Sequence, residues 1–242
     1  MANYHWKAGE FVYAFRYLND AEALYVNESP MEPAWFDLQR GLMALDQGKW
    51  DEALTHYRNA DDHLSGWWLV GEHIAEVQAL LGQTEEAKVA YEQLIQKTGN
   101  PEFMDALAGI HQARGEDAMA KGWIEKARTA YEARLDRFPE ATWGHALDHF
   151  LEFAPDPKDA VLMAEQNHTL RPGGEAKVKL AEAYLKAGKA EQARALVETT
   201  LSGPYRSAAL FTTAAEVYGS LGDQTRADDM KSRALRINPH AL

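Results

Sequence analysis

Cysteine is absent from all 242 residues, which excludes disulfides, thiolate nucleophiles and cysteine-ligated zinc. No stretch approaches the ~18 consecutive apolar residues of a membrane-spanning helix. The opening MANYHWKAGEFVYAF has no basic segment followed by an apolar one, so the expectation is a soluble, cytoplasmic protein. Basic side chains are in deficit: 25 Lys and Arg against 37 Asp and Glu give a formal net charge of −12. A nucleic-acid partner would need a basic stripe within that field, and none is visible. Serine is scarce, and there is no phosphate loop, dinucleotide fingerprint or serine elbow. RPGGEAK from Arg171 sets two glycines before a helix without the spacing of a phosphate cradle, so it reads as a junction. Neither a cofactor nor an enzymatic activity is expected.

What is present is apolar material, 46% hydrophobic against 26% charged, which is enough to fold the whole chain. It is arranged with a period. QGKWDEALTHY from Gln47 returns as LGQTEEAKVAY from Leu81, with Gly48 and Gly82, Ala53 and Ala87, and Tyr57 and Tyr91 each 34 residues apart. Ala127, Tyr131 and Pro139 continue the pattern after a step of 40, which implies about six extra residues in that unit. Ala160, Ala193 and Ala227 follow at steps of 33, 33 and 34. Glycine stands five residues before the alanine at Gly48, Gly82, Gly188 and Gly222. That spacing predicts a helix ending on glycine, a short turn and a second helix whose alanine permits close packing. Pro33, Pro101, Pro139, Pro172 and Pro239 punctuate the chain after second helices. The N-terminal unit, aligned through Ala21, offers no glycine at its turn and reads as degenerate.

A helix–turn–helix unit of about 34 residues with these small, aromatic and proline positions resembles the tetratricopeptide repeat family. The last unit carries the likeness best, through Phe211, Ala214, Ala215, Tyr218, Gly222, Ala227, Ala234 and Pro239. The unit from Gly174 adds Leu180, Ala181, Tyr184, Gly188 and Ala193, and the unit from Trp68 adds Ile74, Ala75, Gly82, Ala87 and Tyr91. Near Ala34 the stripe Leu38, Leu42 and Leu45 runs one position out of the family's phase, and FAPDPKDA replaces a glycine turn with prolines. The resemblance implies an all-α, right-handed α-solenoid of about seven repeats in one array over 1–242, with approximate units 2–33, 34–67, 68–100, 101–140, 141–173, 174–207 and 208–242.

It also implies a concave groove lined by the second, fifth, ninth and twelfth positions of each unit. Those positions supply Glu72, Glu76, Asp105, His145, His149, Glu152, Glu182 and Glu216 as the expected binding residues. As read, the groove holds carboxylates and no lysine or arginine, with Leu38, Glu72, Asp105, His145, Val178 and Thr212 at the fifth positions. Such a surface repels an acidic tail and suits a peptide or protein partner of basic or polar character. The function implied is a protein-interaction scaffold.

Two further readings come from local clusters. In TWGHALDHFLEF, His145 and His149 lie one helical turn apart and share a face with Glu152. Two imidazoles at that spacing are candidate metal ligands, with Asp105, His111 or Glu182 as a third, although Ala146 stands where a zinc protease needs its glutamate. That turn supports an alternative function as a metal- or small-ligand-binding or regulatory subunit. Tyr4, Trp6, Phe11, Tyr13, Phe15 and Tyr17 crowd the N-terminal repeat, which either packs onto the second unit or forms a homodimer contact. Of Trp67 and Trp68, one is expected between units and the other exposed.

Overall fold

The computed structural model describes residues 1–26 and 28–242, and within them the chain forms fourteen α-helices and a single π turn, with no strand. The helices alternate in pairs: α1 (Ala2–Lys7) and α2 (Phe11–Ala23), α3 (Met31–Asp46) and α4 (Trp50–His63), α5 (Trp68–Leu80) and α6 (Thr84–Thr98). They continue with α7 (Pro101–Ala113) and α8 (Asp117–Arg137), then α9 (Pro139–Asp148), the π turn His149–Phe153 and α10 (Pro157–Leu170). The last pairs are α11 (Gly174–Lys186) with α12 (Ala190–Ser202), and α13 (Ala208–Ser220) with α14 (Gln224–Ile237). This is an all-α helical-repeat fold of the α-solenoid class. Residue contacts divide it into two compact units, 1–98 with 237–240, and 99–236 with 241–242.

A single backbone device joins the helices of most pairs. At Gly48 the chain enters the left-handed region (φ +69°), where a side chain would clash and glycine does not. The Gly48 N–H then reaches the Leu45 carbonyl and the Lys49 N–H reaches back to Ala44 O at 3.0 Å, the double closure that satisfies the otherwise orphaned carbonyls of a helix end. The same long closure recurs after Gly9, Gly82, Gly115, Gly188 and Gly222. In each case the alanine five residues on is buried: Ala14, Ala53, Ala87, Ala120, Ala193 and Ala227.

This regularity corrects two alignments made from sequence. The N-terminal unit does have a turn glycine, Gly9, and its packing alanine is Ala14, whereas Ala21 is exposed near the end of α2. In the lengthened unit the partner of Gly115 is Ala120, 33 residues after Ala87. The extra residues therefore extend the C-terminal part of α8, which runs for 21 residues, and Ala127 repeats the alanine position two turns later. The π-turn unit uses another junction: Asp156 caps α10 by accepting from the Lys158 and Asp159 N–H groups, and Pro157 occupies the first helical position. Pro101 and Pro139 likewise open helices, while Pro33 lies inside the first turn of α3.

In the first unit, Tyr57 from α4 lies directly over Gly41 of α3, and both helices pack with Leu38, Leu54, Val70 and Val77 in one cluster. Trp6, Ala14 and Leu18 pack with Phe36 and Met43 of α3, and the Trp6 indole donates to Asp46 at 2.6 Å. The N-terminal aromatics are thus divided: Trp6 is inside, while Tyr4, Tyr13 and Tyr17 remain on the surface. Trp67 packs against the same core as Tyr57 and Trp68 is exposed. In the second unit Tyr131, Leu147, Phe150, Leu151, Met163 and Leu180 form the centre of a core shared by α8 to α11.

Two glycine substitutions test the packing in opposite directions. A Cβ at Gly41 would sit 2.2 Å from Tyr57 Cε1, so Gly41→Ala should cost about 2–3 kcal/mol through overpacking. Gly122, inside α8 with nothing within 4 Å of an added Cβ, should gain about 0.5–1 kcal/mol as Ala. Urea denaturation followed by circular dichroism measures both, and equal effects would contradict the packing described.

Candidate functional site

The polar residues of the second unit converge where α9, α10 and α11 meet. They border an open cleft of about 740 Å³ lined by Gly144, His145, Asp148, Arg171, Glu175 and Lys179, with Leu147, Pro172 and Ala176 among its apolar walls. Its position follows from local sequence. Pro172 and Gly173 break the chain between α10 and α11, and the last turn of α10 delivers Asn167 and Arg171 to one side. The Arg171 guanidinium donates to the Glu140 carbonyl and to Asn167 Oδ1, both at 3.0 Å. These acceptors are neutral, and no carboxylate among the described residues pairs with Arg171. Lys179 instead bridges two acids, Asp148 and Glu182. Burial works against its ammonium, but those two carboxylates outweigh it and hold the group charged above its ordinary range. Burial first, then Asp148 and Glu182, push the nearby Glu152 carboxyl up.

Of the two histidines, only His145 reaches this surface. His145 is 66% exposed at the side chain and lies 2.8 Å from Glu102, a hydrogen bond that raises its pKa. His149, where the helix changes from α to π winding, is fully buried with Nδ1 2.9 Å from Asp105. Tyr131 also bonds to Asp105, whose carboxyl burial pushes up despite both partners. Each imidazole is therefore paired with a different carboxylate, one on the surface and one in the interior.

The first unit gathers a second polar cluster. Asp37 of α3 is buried, 3.2 Å from Arg40 and within 3.4 and 3.6 Å of His56 and His63, and Arg40 also pairs with Glu22. On α5, His73 lies between Glu72 and Glu76. Burial opposes the imidazolium, yet the two carboxylates raise it above the ordinary histidine value.

Of the eight residues expected along the groove, the structure leaves His145, Glu152 and Glu216 exposed, Glu72, Glu76 and Glu182 half-buried, and Asp105 and His149 inside. The last two depart from an open face because Asp105 of α7 and the His149 Nδ1 at the start of the π turn pair with each other in the interior. Basic residues stand beside those acids: Arg171 and Lys179 line the cleft and Arg40 joins the acids of α3. Asp37, not Leu38, carries the polar role on α3, and Leu38 is buried in the core. Arg171 and Lys179 were missed because they fall outside the four groove positions, although the flanking PGG break was visible.

Tetratricopeptide repeat models match residues 34–59, 73–97 and 174–199. A tetratricopeptide repeat protein from Parabacteroides merdae ATCC 43184 resembles the chain with a TM-score of 0.55 at 17% identity, covering 98% of this chain and 90% of that one. A chain of the APC/C hetero-tetramer Cut9–Hcn1 resembles it with a TM-score of 0.52 at 17% identity, over 98% of this chain and 45% of the other. These likenesses are in fold. No curated protein matches this sequence.

The Asp105–His149 pair gives a pH test. A carboxyl whose folded pKa is raised contributes stability that is fully present below the unfolded value, near 4, and lost as pH rises through the folded value. Asp105→Asn keeps an acceptor for His149 and should flatten that loss, matching or exceeding the wild type at pH 7. Asp105→Ala strands a buried imidazole and should cost about 1–3 kcal/mol. Urea midpoints between pH 4 and 8 decide, and a wild type that gains stability relative to the Asn variant across this window would contradict the assignment.

Proposed function

We propose that this chain, three segments of which match tetratricopeptide repeat models, is a protein-interaction scaffold that seats an extended polypeptide segment on the α9–α11 cleft. The carrying observation is the cleft itself. Its volume falls within the range of ordinary ligand sites, and its walls combine apolar surface with polar groups of both signs. Arg171 offers a cation with no carboxylate partner, suited to peptide carbonyl groups or an acidic side chain. Asp148 offers an acceptor for the basic or polar side chains of the same segment, with His145 also on the lining. The reading is one of binding: the charged groups of the cleft are placed for ion pairs and hydrogen bonds to a seated segment. Among the described residues, no helix is long and apolar enough to cross a membrane.

A second reading, self-association through the N-terminal repeat, is supported by Tyr4 and Tyr13, which are 58% and 54% exposed. His5 stacks on Tyr17 at 5.1 Å and lies 5.5 Å from Tyr13, giving a ready-made aromatic face. A constant monomer mass in light scattering over a hundredfold concentration range would remove it.

The cleft reading is tested by pull-down with the intact chain at low and moderate salt, followed by binding measurements on the recovered partner. Asp148→Asn and His145→Ala should each weaken binding about tenfold with an unchanged melting temperature, and rising salt should weaken it further. Unchanged affinity in both variants would sink this site.

A further inference from the structure

The α5 cluster has a geometry that the scaffold reading does not use. Glu72, His73 and Glu76 occupy one helical turn, and His73 Nδ1 lies 3.1 Å from the Glu72 carboxylate and 3.0 Å from that of Glu76. One ligand atom from each residue lies within 4.8 Å of the others. The imidazole is held in place by its neighbour: Tyr57 of α4 stacks on it at 5.2 Å with the ring planes 17° apart. Tyr57 is completely buried, and its hydroxyl has no hydrogen-bond partner among the described residues. The charges that bear most on its phenol are Glu76 and Glu72. A buried hydroxyl left unsatisfied is costly, and this one belongs to the ring that stacks on the imidazole of the cluster.

We propose that Glu72, His73 and Glu76 bind a borderline divalent cation of the zinc class, with three protein ligands and an open position for solvent. Metal–ligand bonds of about 2.0–2.2 Å place tetrahedral ligand atoms about 3.3 Å apart, so the observed separations already approach a coordination sphere. One imidazole with two carboxylates suits zinc or cobalt, whereas magnesium and calcium take oxygen ligands throughout. The Tyr57 ring stacked on His73 would hold that ligand in orientation, in the way contacts outside the coordination sphere orient metal ligands. Without metal, a proton on His73 occupies the same position between the two acids, and the cation displaces it. This proposal does not rest on the peptide-binding reading.

The test uses the full chain without a histidine tag, stripped with chelator and titrated with zinc by calorimetry and with cobalt by visible absorption. One equivalent per chain is expected, unaffected by millimolar magnesium, with the intense visible band of a low-coordinate cobalt centre. The double substitution Glu72→Gln/Glu76→Gln preserves side-chain volume and should lower affinity at least tenfold, as should His73→Ala, while His145→Ala should leave it unchanged. Thermal melts report the fold of each variant, and if His73→Ala fails to fold, the double glutamine variant decides. Absence of saturable binding, binding undiminished in the double variant, or binding lost with His145 overturns the proposal.

Discussion

The approach of two helices across a left-handed glycine is the constraint from which the rest of this molecule follows. The closure after Gly48, repeated after Gly9, Gly82, Gly115, Gly188 and Gly222, fixes where a second helix starts. The alanine five residues later sets how closely that helix lies against the first. Bulk at that contact would push the pair apart, so large side chains such as Tyr57 and Tyr131 lie one or more turns farther along, where they fill the space between neighbours. With the buried stripe fixed in this way, the polar faces of α3, α5, α7, α9 and α11 are fixed too, and the charged residues they carry have no other place to go.

Those charges are managed largely by histidine. Seven histidines, His5, His56, His63, His73, His111, His145 and His149, lie within 4 Å of a carboxylate. In a chain with only 25 lysines and arginines against 37 acids, imidazole is the residue that can sit in a half-buried position beside an acid without the long solvated stem of lysine. The formal charge of −12 therefore describes the outer surface better than it describes the inter-helix seams, where acids occur with a ring nitrogen beside them.

Much of the fold was legible because a glycine turn and a buried alanine are local, one-dimensional signals. What escaped were cases where the same signal fits two registers. Ala120 with Ile124 and Ala127 with Tyr131 lie seven residues apart on one face of α8, so a pattern keyed on alanine and an aromatic slides by two turns and stays self-consistent. On α3, Asp37 and Leu38 differ by one position, and the aliphatic stripe pointed to the wrong one because a buried aspartate paired with Arg40 looks, in sequence, like a surface residue. His149 failed for a related reason. Helical spacing places it with His145, but its exposure is decided by Asp105, 44 residues away, and no short-range pattern encodes such a partner.

The elongated α8 shows how such an array can change without being rebuilt. Seven residues advance a helix by about 700°, which is about 20° short of two complete turns. A heptad added to one helix returns the chain to almost the same heading, with its apolar stripe continuous through Ala120, Ala127 and Tyr131. An insertion of five residues would rotate everything downstream by about 140° and turn the packing face toward water. Length in this architecture is thus a quantised variable, open to evolution in whole-turn increments and closed between them, and α8 records one permitted step.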